Sequence, residues 1–270
     1  MDEQEAFAEI KKTINNERGL DVNQYKENYL KRRFAVRMRA LHKITYCEYL
    51  EKIKADPGEM NILLDRLTIN VTEFFRDPEM YIEFENELLP ALINEGKKKF
   101  RIWSAGCSTG EEPYSIAVSI EEAQDAMGVR NLTYEIYASD IDEKVLRAGV
   151  EGVYEARTMR NIAPNRRAKY FTDAGNEKYR VNDSIKEKIR FIRLNLMKPY
   201  EKNFFDVVFC RNVIIYFTKE LQEEVMQTFY DSLRSGGILI LGKTETMLLG
   251  FRNRFKCINI KERMFRKVDE

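Results

Sequence analysis

Histidine is almost absent from this sequence. The one copy, His42, lies in a helix-like segment far along the chain from the glycine-rich turn described below. Ser-His-Asp and Cys-His mechanisms would both need it, so histidine-based catalysis is not expected. Cysteine is scarce as well. Cys47, Cys107, Cys210 and Cys257 are scattered, and no CxxC pair occurs. That spacing supports neither a metal site nor a disulfide framework, and free thiols, buried beside strand-like runs, are the expectation. Charge of one sign is missing too: 45 Lys and Arg against 44 Asp and Glu leave a formal +1. Net charge therefore argues for neither nucleic acid nor a membrane surface, and any electrostatic partner must meet a local patch. No apolar run reaches the ~18 residues of a membrane span. The start, MDEQEAFAEIKK, is acidic and polar, unlike a secretory signal. A cytoplasmic protein without direct membrane insertion is expected.

What is present falls into two parts. Apolar residues recur at helical spacing at Phe7, Ile10 and Ile14, then Leu30, Phe34, Met38 and Leu41, then Tyr46, Tyr49, Leu50 and Ile53. Asp56-Pro57-Gly58 marks a turn, and helical spacing resumes from Glu59. Residues 1–72 therefore read as a small all-α domain. From Phe100 the pattern changes to strand-like runs at Phe100–Ala105, Tyr134–Ala138, Arg190–Leu194, Asp206–Cys210 and Ile238–Leu241, with helical stretches between them. Such alternation predicts an α/β domain over 73–270, a parallel sheet flanked by helices. Gly236-Gly237 reads as the end of the last helix and the start of the next strand. "FKCINI" and "MFRKV" near the end read as two further strands. The polar stretch 151–189 interrupts the alternation and reads as a small inserted β-subdomain, with a hairpin around Ala174-Gly175-Asn176.

The informative stretch is "RIWSAGCSTGEEPYS", Arg101 to Ser115: strand, glycine turn, helix. Gly106 and Gly110 make neither GxGxxG nor a Walker loop. Ligands of open α/β sheets bind at the carboxyl ends of strands, where this turn lies. Glu111 and Glu112 stand where a phosphate loop carries lysine, and paired carboxylates repel phosphate. A ligand with cationic and hydroxyl groups and no phosphate fits, and S-adenosylmethionine is such a ligand. Acids that merely complement the helix dipole would look the same. The second strand ends in "ASDID", and Asp140 is placed to hold ribose hydroxyls. Its spacing from Gly110 exceeds the usual ~20 residues. An N-cap role for Asp140, with Glu143 completing a capping box, is the competing reading. Asp142 reads as solvated.

These pieces resemble a known family, the chemotaxis receptor glutamate methyltransferases (CheR family). The resemblance rests on "NVTEFFRDP" at Asn70–Pro78, "WSAGCSTGEEPYS" at Trp103–Ser115, "ASDID" at Ala138–Asp142 and "FDVVFCRNVIIYF" at Phe205–Phe217, in family order over most of the chain. It implies methyl transfer from S-adenosylmethionine to γ-carboxylates of glutamates in membrane chemoreceptors, yielding methyl esters and S-adenosylhomocysteine. It implies cofactor contacts from Asn70, Thr72 and Arg76, from Glu112 (with Glu111 open), from Asp140 as the ribose acid, from Asn195 and Leu196 beside the adenine, and from Arg211 and Asn212. Tyr216 would lie near the reacting centre. The insertion corresponds to the family's β-subdomain, which in some members grips a receptor tail.

A glutamate acceptor, whose side chain ordinarily titrates at roughly pH 4.3, is already ionised at neutral pH, so no catalytic base and no metal are required. Arg76 is expected to orient the acceptor or the cofactor carboxylate, and Tyr216 to position a reacting group. Arg32, Arg33, Arg37 and Arg39, near Lys43, give the second helix a basic face expected to dock glutamate-rich receptor helices. With no aromatic interleaving on that face, nucleic acid is not expected as partner, and a monomer is. The alternatives are a cofactor-binding sensor without turnover, or a methyltransferase of another substrate.

Overall fold

The computed structural model describes residues 1–18, 21–67, 72–129, 132–198 and 200–268. The chain divides into two compact units, 1–69 with 216–222, and 70–215 with 223–270.

In the first unit the recurrent apolar positions become four helices. These are α1 (Glu3–Arg18), α2 (Glu27–Ala40), α3 (Tyr46–Ala55) and α4 (Pro57–Leu67). Phe7, Ile10 and Ile14 of α1, Leu30, Phe34 and Met38 of α2, Tyr49, Leu50 and Ile53 of α3, and Leu63, Leu64 and Leu67 of α4 form one core. Thr45 begins α3 with a capping box: it accepts from Glu48 N at 3.2 Å, and the Glu48 carboxylate accepts from Thr45 N at 3.3 Å. Residues 216–222, which the sequence pattern leaves with the C-terminal part, pair with this unit. Lys26 N donates to the Tyr216 carbonyl at 2.9 Å, and the Tyr216 ring lies 4.8 Å from that of Tyr29.

One charged group is folded into this core. Glu59 is 2 % exposed. Arg37 grips it with two hydrogen bonds, 2.9 and 2.6 Å, and Tyr49 donates to it at 2.9 Å. This corrects the docking assignment of Arg37. Its guanidinium belongs to an interior ion pair, because α2 turns that position toward α4 rather than toward solvent. Arg33 is half-buried, with its guanidinium over the Tyr29 ring at 5.3 Å. Arg32 and Arg39 are the exposed members of the set.

The second unit opens with α5 (Pro78–Glu83), a π-helical turn and α6 (Leu89–Asn94), which lead into the sheet. Its parallel strands are β1 (Lys99–Ala105), β2 (Thr133–Asp140), β6 (Ile189–Arg193), β7 (Phe205–Cys210) and β8 (Leu233–Leu241). Two antiparallel strands complete one edge, β9 (Phe255–Asn259) and β10 (Met264–Lys267). The order is β6-β2-β1-β7-β8-β10-β9. The chain runs outward from β1 to β6, then crosses to β7 on the other side of β1. The crevice between β1 and β7 is therefore the topological switch point, where α/β sheets bind ligands. Helices α7 (Glu111–Met127), α8 (Glu143–Glu151) and α11 (Lys219–Ser232) accompany the strands. Covered on both faces, β7 is buried throughout, as a central parallel strand should be. Trp103 is fully buried against Phe205 and Phe229, and its indole N–H donates to Ser139 at 2.8 Å.

Three local expectations change. Gly236 and Gly237 lie inside β8, not at the end of a helix; α11 stops at Ser232, and β8 starts at once. Asp142, not Asp140, caps α8, accepting from Lys144 N at 2.8 Å. The insertion holds more than a hairpin. β3 (Val153–Glu155), α9 (Pro164–Tyr170), β4 (Phe171–Gly175), β5 (Lys178–Val181) and the short α10 (Asp183–Lys186) form it, and its sheet runs β3-β5-β4. Of the cysteines, Cys107 and Cys210 are buried, and burial pushes both thiols up; Cys257 is exposed on β9.

The Glu59 pair yields a prediction. Arg37→Ala leaves a carboxylate buried beside Tyr49 without its cation, which costs about 3–5 kcal/mol. Urea denaturation should show that loss, while Arg39→Ala on the exposed side should leave the midpoint nearly unchanged.

Candidate functional site

Three segments meet at the carboxyl ends of β1 and β7. The first is the loop before α5. Phe75 and Asp77 both have left-handed backbone there, φ 50° and 56°. Phe74 and Phe75 are buried. The loop is tied down from several directions. Phe74 N donates to Thr158 O at 3.0 Å, Phe75 N to Ser115 Oγ at 2.9 Å, and the Phe74 ring packs edge-on to Tyr154 and Phe171 of the insertion.

The second segment is the glycine turn. Its reason for glycine is now visible. A Cβ on Gly106 would fall 2.6 Å from Val213 Cγ2, and φ there is +77°. The glycine thus allows the β1 turn to lie directly on the loop after β7. Gly106 N and Cys107 N both donate to Ser139 O, at 2.8 and 2.9 Å. The turn is thereby held to the end of β2. The third segment is Arg211-Asn212 after β7, with Asn212 at φ 61°. Non-glycine residues in this region of backbone space cost free energy, and such residues gather at functional sites.

Arg211 joins the three. Its side chain is 2 % exposed. One guanidinium nitrogen donates to Asp77 Oδ2 and to the Arg76 carbonyl, each at 2.7 Å, and another lies 3.5 Å from Glu112 Oε2. Glu112 Oε1 accepts from Ser104 Oγ at 2.7 Å. Burial pushes the Glu112 carboxyl up, and the charges of Arg211 and Arg76 oppose that push. The two glutamates therefore separate by role. Glu112 faces Arg211 at the strand ends, whereas Glu111 is buried and accepts from Thr109 at 2.6 Å.

Asp140 ends β2 with both oxygens engaged by backbone: Ser108 N at 2.9 Å and Asp142 N at 3.0 Å. Burial raises its carboxyl pKa, and those N–H groups oppose the rise. A carboxylate has about four lone-pair directions, so acceptor capacity remains. Leu194 N donates to the Asp140 carbonyl at 3.1 Å, which sets "RLNL" beside it; Asn195 accepts from Met197 N at 3.1 Å, and Leu196 is buried.

Asp77 is held by Arg211 at 2.7 Å and Glu79 by Lys243 at 2.8 Å. Arg76 itself is half-buried. Thr72 is half-buried, and Asn70 lies outside the described residues. Tyr216 falls within the helical unit. Three residues escape a reading of the sequence: Ser104, Ser108 and Glu245. A serine inside an otherwise apolar strand is the available signal for Ser104. Glu245, 2 % exposed, gives none.

The donor set has a definite chemical preference. Ser108 Oγ and Asn212 Oδ1 are buried without a hydrogen-bond partner in the protein. With Glu112 and Asp140 they offer acceptors, and acids outnumber the one buried guanidinium. That set suits ammonium, sulfonium and hydroxyl groups, and it repels phosphate. Among the described residues, no cluster of His, Cys, Asp or Glu could hold a metal ion.

Comparison with known proteins agrees. Residues 70–264 match the CheR methyltransferase SAM binding domain, and residues 5–68 match the CheR methyltransferase all-alpha domain. The chain belongs to the CheR methyltransferase family. It is similar to the chemotaxis protein methyltransferase of Listeria innocua, 35 % identical over 88 % of each chain. A probable chemotaxis protein methyltransferase of Rhizobium etli is 33 % identical, covering 92 % of this chain and 94 % of that one. The Borreliella burgdorferi chemotaxis protein methyltransferase is 31 % identical, over 87 % of this chain and 86 % of its own. This CheR family chain is an S-adenosylmethionine-dependent methyltransferase of chemotaxis. Among its described residues, no helix is long and apolar enough to cross a membrane.

The charge arrangement yields a second prediction. Arg211→Met should leave Asp77 and Glu112 without their shared cation and destabilise the unit by about 3–5 kcal/mol. Adding Glu112→Gln should recover part of the loss, because it removes one uncompensated charge. A double-mutant cycle on thermal or denaturant midpoints measures the coupling.

Proposed function

We propose that the chain transfers the methyl group of S-adenosylmethionine to γ-carboxylates of chemoreceptor glutamates, forming methyl esters and S-adenosylhomocysteine. The observation that carries this reading is the match of both the all-alpha and the SAM binding domains along one chain. The acid-lined strand ends support it from chemistry alone.

When bound, the cofactor supplies an electrophilic methyl group on a sulfonium. The protein's part is binding, alignment and exclusion of water. We assign Asp140 to the ribose hydroxyls, using the acceptor capacity its backbone bonds leave. Glu112 is assigned to the cationic end of the cofactor, with Arg211 holding it in place. Asn195 and Leu196 flank the adenine, Asn212 contributes its amide, and Asn70 and Thr72 are assigned further contacts with the cofactor. Arg76 orients a carboxylate, either that of the acceptor or that of the cofactor, and Tyr216 positions a reacting group by hydrogen bond. The acceptor arrives ionised, so none of these residues has to remove a proton. Attraction between carboxylate and sulfonium fades as the bond forms, so alignment and loss of water contribute most of the acceleration.

The test is incubation with tritiated S-adenosylmethionine and receptor-bearing membranes. Base-labile label on the receptor, released as methanol, is the expected result. Retained cofactor without transfer would mean a non-catalytic binder, and base-stable label would mean another acceptor group. In the same protein, Asp140→Ala should weaken S-adenosylhomocysteine binding roughly ten- to a hundredfold, since hydrogen bonds to charged groups contribute about 1.5–3 kcal/mol. Calorimetric titration reads this directly.

We further assign receptor docking to the exposed Arg32 and Arg39, with Arg33 beside them. Arg32→Ala with Arg39→Ala should slow methylation at limiting receptor in low salt. The gap from the parent should close at high salt, where screening removes steering from both. Equal rates in low salt would make this face ordinary solvated surface.

A further inference from the structure

Glu245 is a buried carboxylate that no step above uses. It lies just beyond β8, in the loop that leaves the strand at Gly242. Its two oxygens accept four backbone N–H groups. Oε2 takes Gly242 N at 2.6 Å and Asn212 N at 3.0 Å, and Oε1 takes Val213 N at 2.9 Å and Ile214 N at 3.1 Å. Burial pushes the carboxyl up, and the four N–H groups oppose that.

Three of those donors belong to the segment that follows Arg211. This segment has left the β7 ladder and has only begun its next helical turn at Ile214. Backbone N–H groups that leave a ladder still need acceptors, and the Glu245 carboxylate accepts from these three. The backbone at Asn212 is also left-handed, a conformation that asparagine tolerates better than most residues. Glu245 accepts from the N–H of that residue and of the two that follow it. The fit is close: a Cβ on Gly242 would fall 2.8 Å from Glu245 Oε2 and 2.9 Å from Asn212 N. The Asn212 amide oxygen stays buried and without a protein partner.

We infer that Glu245 is a positioning residue for cofactor binding: its carboxylate substitutes for the missing backbone ladder after β7 and so fixes Asn212 at the cofactor edge of the site. This rests on the methyltransferase reading above and goes beyond it, because Glu245 acts through Asn212 and touches neither the cofactor nor the acceptor. A merely structural carboxylate would lower stability and leave affinity alone. Asp206 provides that comparison. It is buried at the opposite end of β7, paired with Lys97 and Arg234 and accepting from Arg101 N.

The experiment is calorimetric titration of S-adenosylhomocysteine into the full chain, for the parent, Glu245→Gln, Gly242→Ala and Asp206→Asn. Thermal melting and amide exchange at residues 212–214 are followed alongside. In Glu245→Gln the amide NH2 opposes two of the four donors. The dissociation constant should rise at least tenfold, exchange at 212–214 should accelerate, and KM for S-adenosylmethionine should rise by a larger factor than kcat falls. Gly242→Ala keeps the carboxylate but pushes the clamp apart. It should show the same affinity loss, and it carries the test if Glu245→Gln does not fold. Asp206→Asn should melt earlier yet bind within twofold of the parent. A folded Glu245→Gln or Gly242→Ala that binds within twofold of the parent overturns the inference. A parent that binds no S-adenosylhomocysteine overturns the methyltransferase reading, and this inference with it.

Discussion

A guanidinium cannot be buried alone. Desolvation of an isolated charge costs several kcal/mol, so Arg211 must meet carboxylates wherever it is placed. Its partners come from separate parts of the chain. Asp77 arrives from the loop before α5, Glu112 from the first turn of α7, and Arg211 itself from the end of β7. Meeting that one electrostatic requirement fixes three segments at the switch point of the sheet. The insertion joins the same arrangement through packing, since Tyr154 donates to Thr109 O at 2.6 Å and its ring meets Phe74. Arg166 of α9 adds an ion pair to Glu85 at 2.6 Å.

The same requirement explains why a glycine turn carries acids. In phosphate loops, glycine frees backbone N–H groups for an anion. Here the N–H groups of Gly106 and Cys107 are committed to Ser139, and that of Ser108 to Asp140. These donors of the turn are already satisfied inside the protein. The loop after β7 repeats the theme, its donors being taken by Glu245. What the strand ends present outward is acceptor capacity, which selects a ligand that is positive and hydroxylated.

Much of this is legible in the sequence, for physical reasons. Long strands with alternating or continuous burial, such as "FDVVFC", and helices with apolar residues three and four apart leave strong periodic signals. Asp140 and Glu112 stand out in the sequence as acids beside strand ends, where helix capping or dipole complementation would look the same. The misreadings have causes as well. Gly236-Gly237 looks like a helix stop, since a glycine pair within a strand has no local signature. α9, "PNRRAKY", is too short and too polar to show a period, and β3 spans Val153–Glu155 only. A helical wheel puts Arg37 beside the basic face, but it cannot see Glu59, which comes from another helix. Glu245 stays invisible because its partners are backbone N–H groups, three of the four more than thirty residues upstream, which no side-chain pattern records.

The central claim is that these strand ends are built for a cationic adenosine ligand and against phosphate. Calorimetric titration of the folded chain with S-adenosylmethionine and, separately, with ATP tests it most directly, since the two share adenosine and differ in the charge of what it carries. Saturable one-to-one binding of S-adenosylmethionine and no measurable heat from ATP at the same concentrations is the predicted result. ATP binding of comparable strength, competitive with S-adenosylmethionine, would contradict the account.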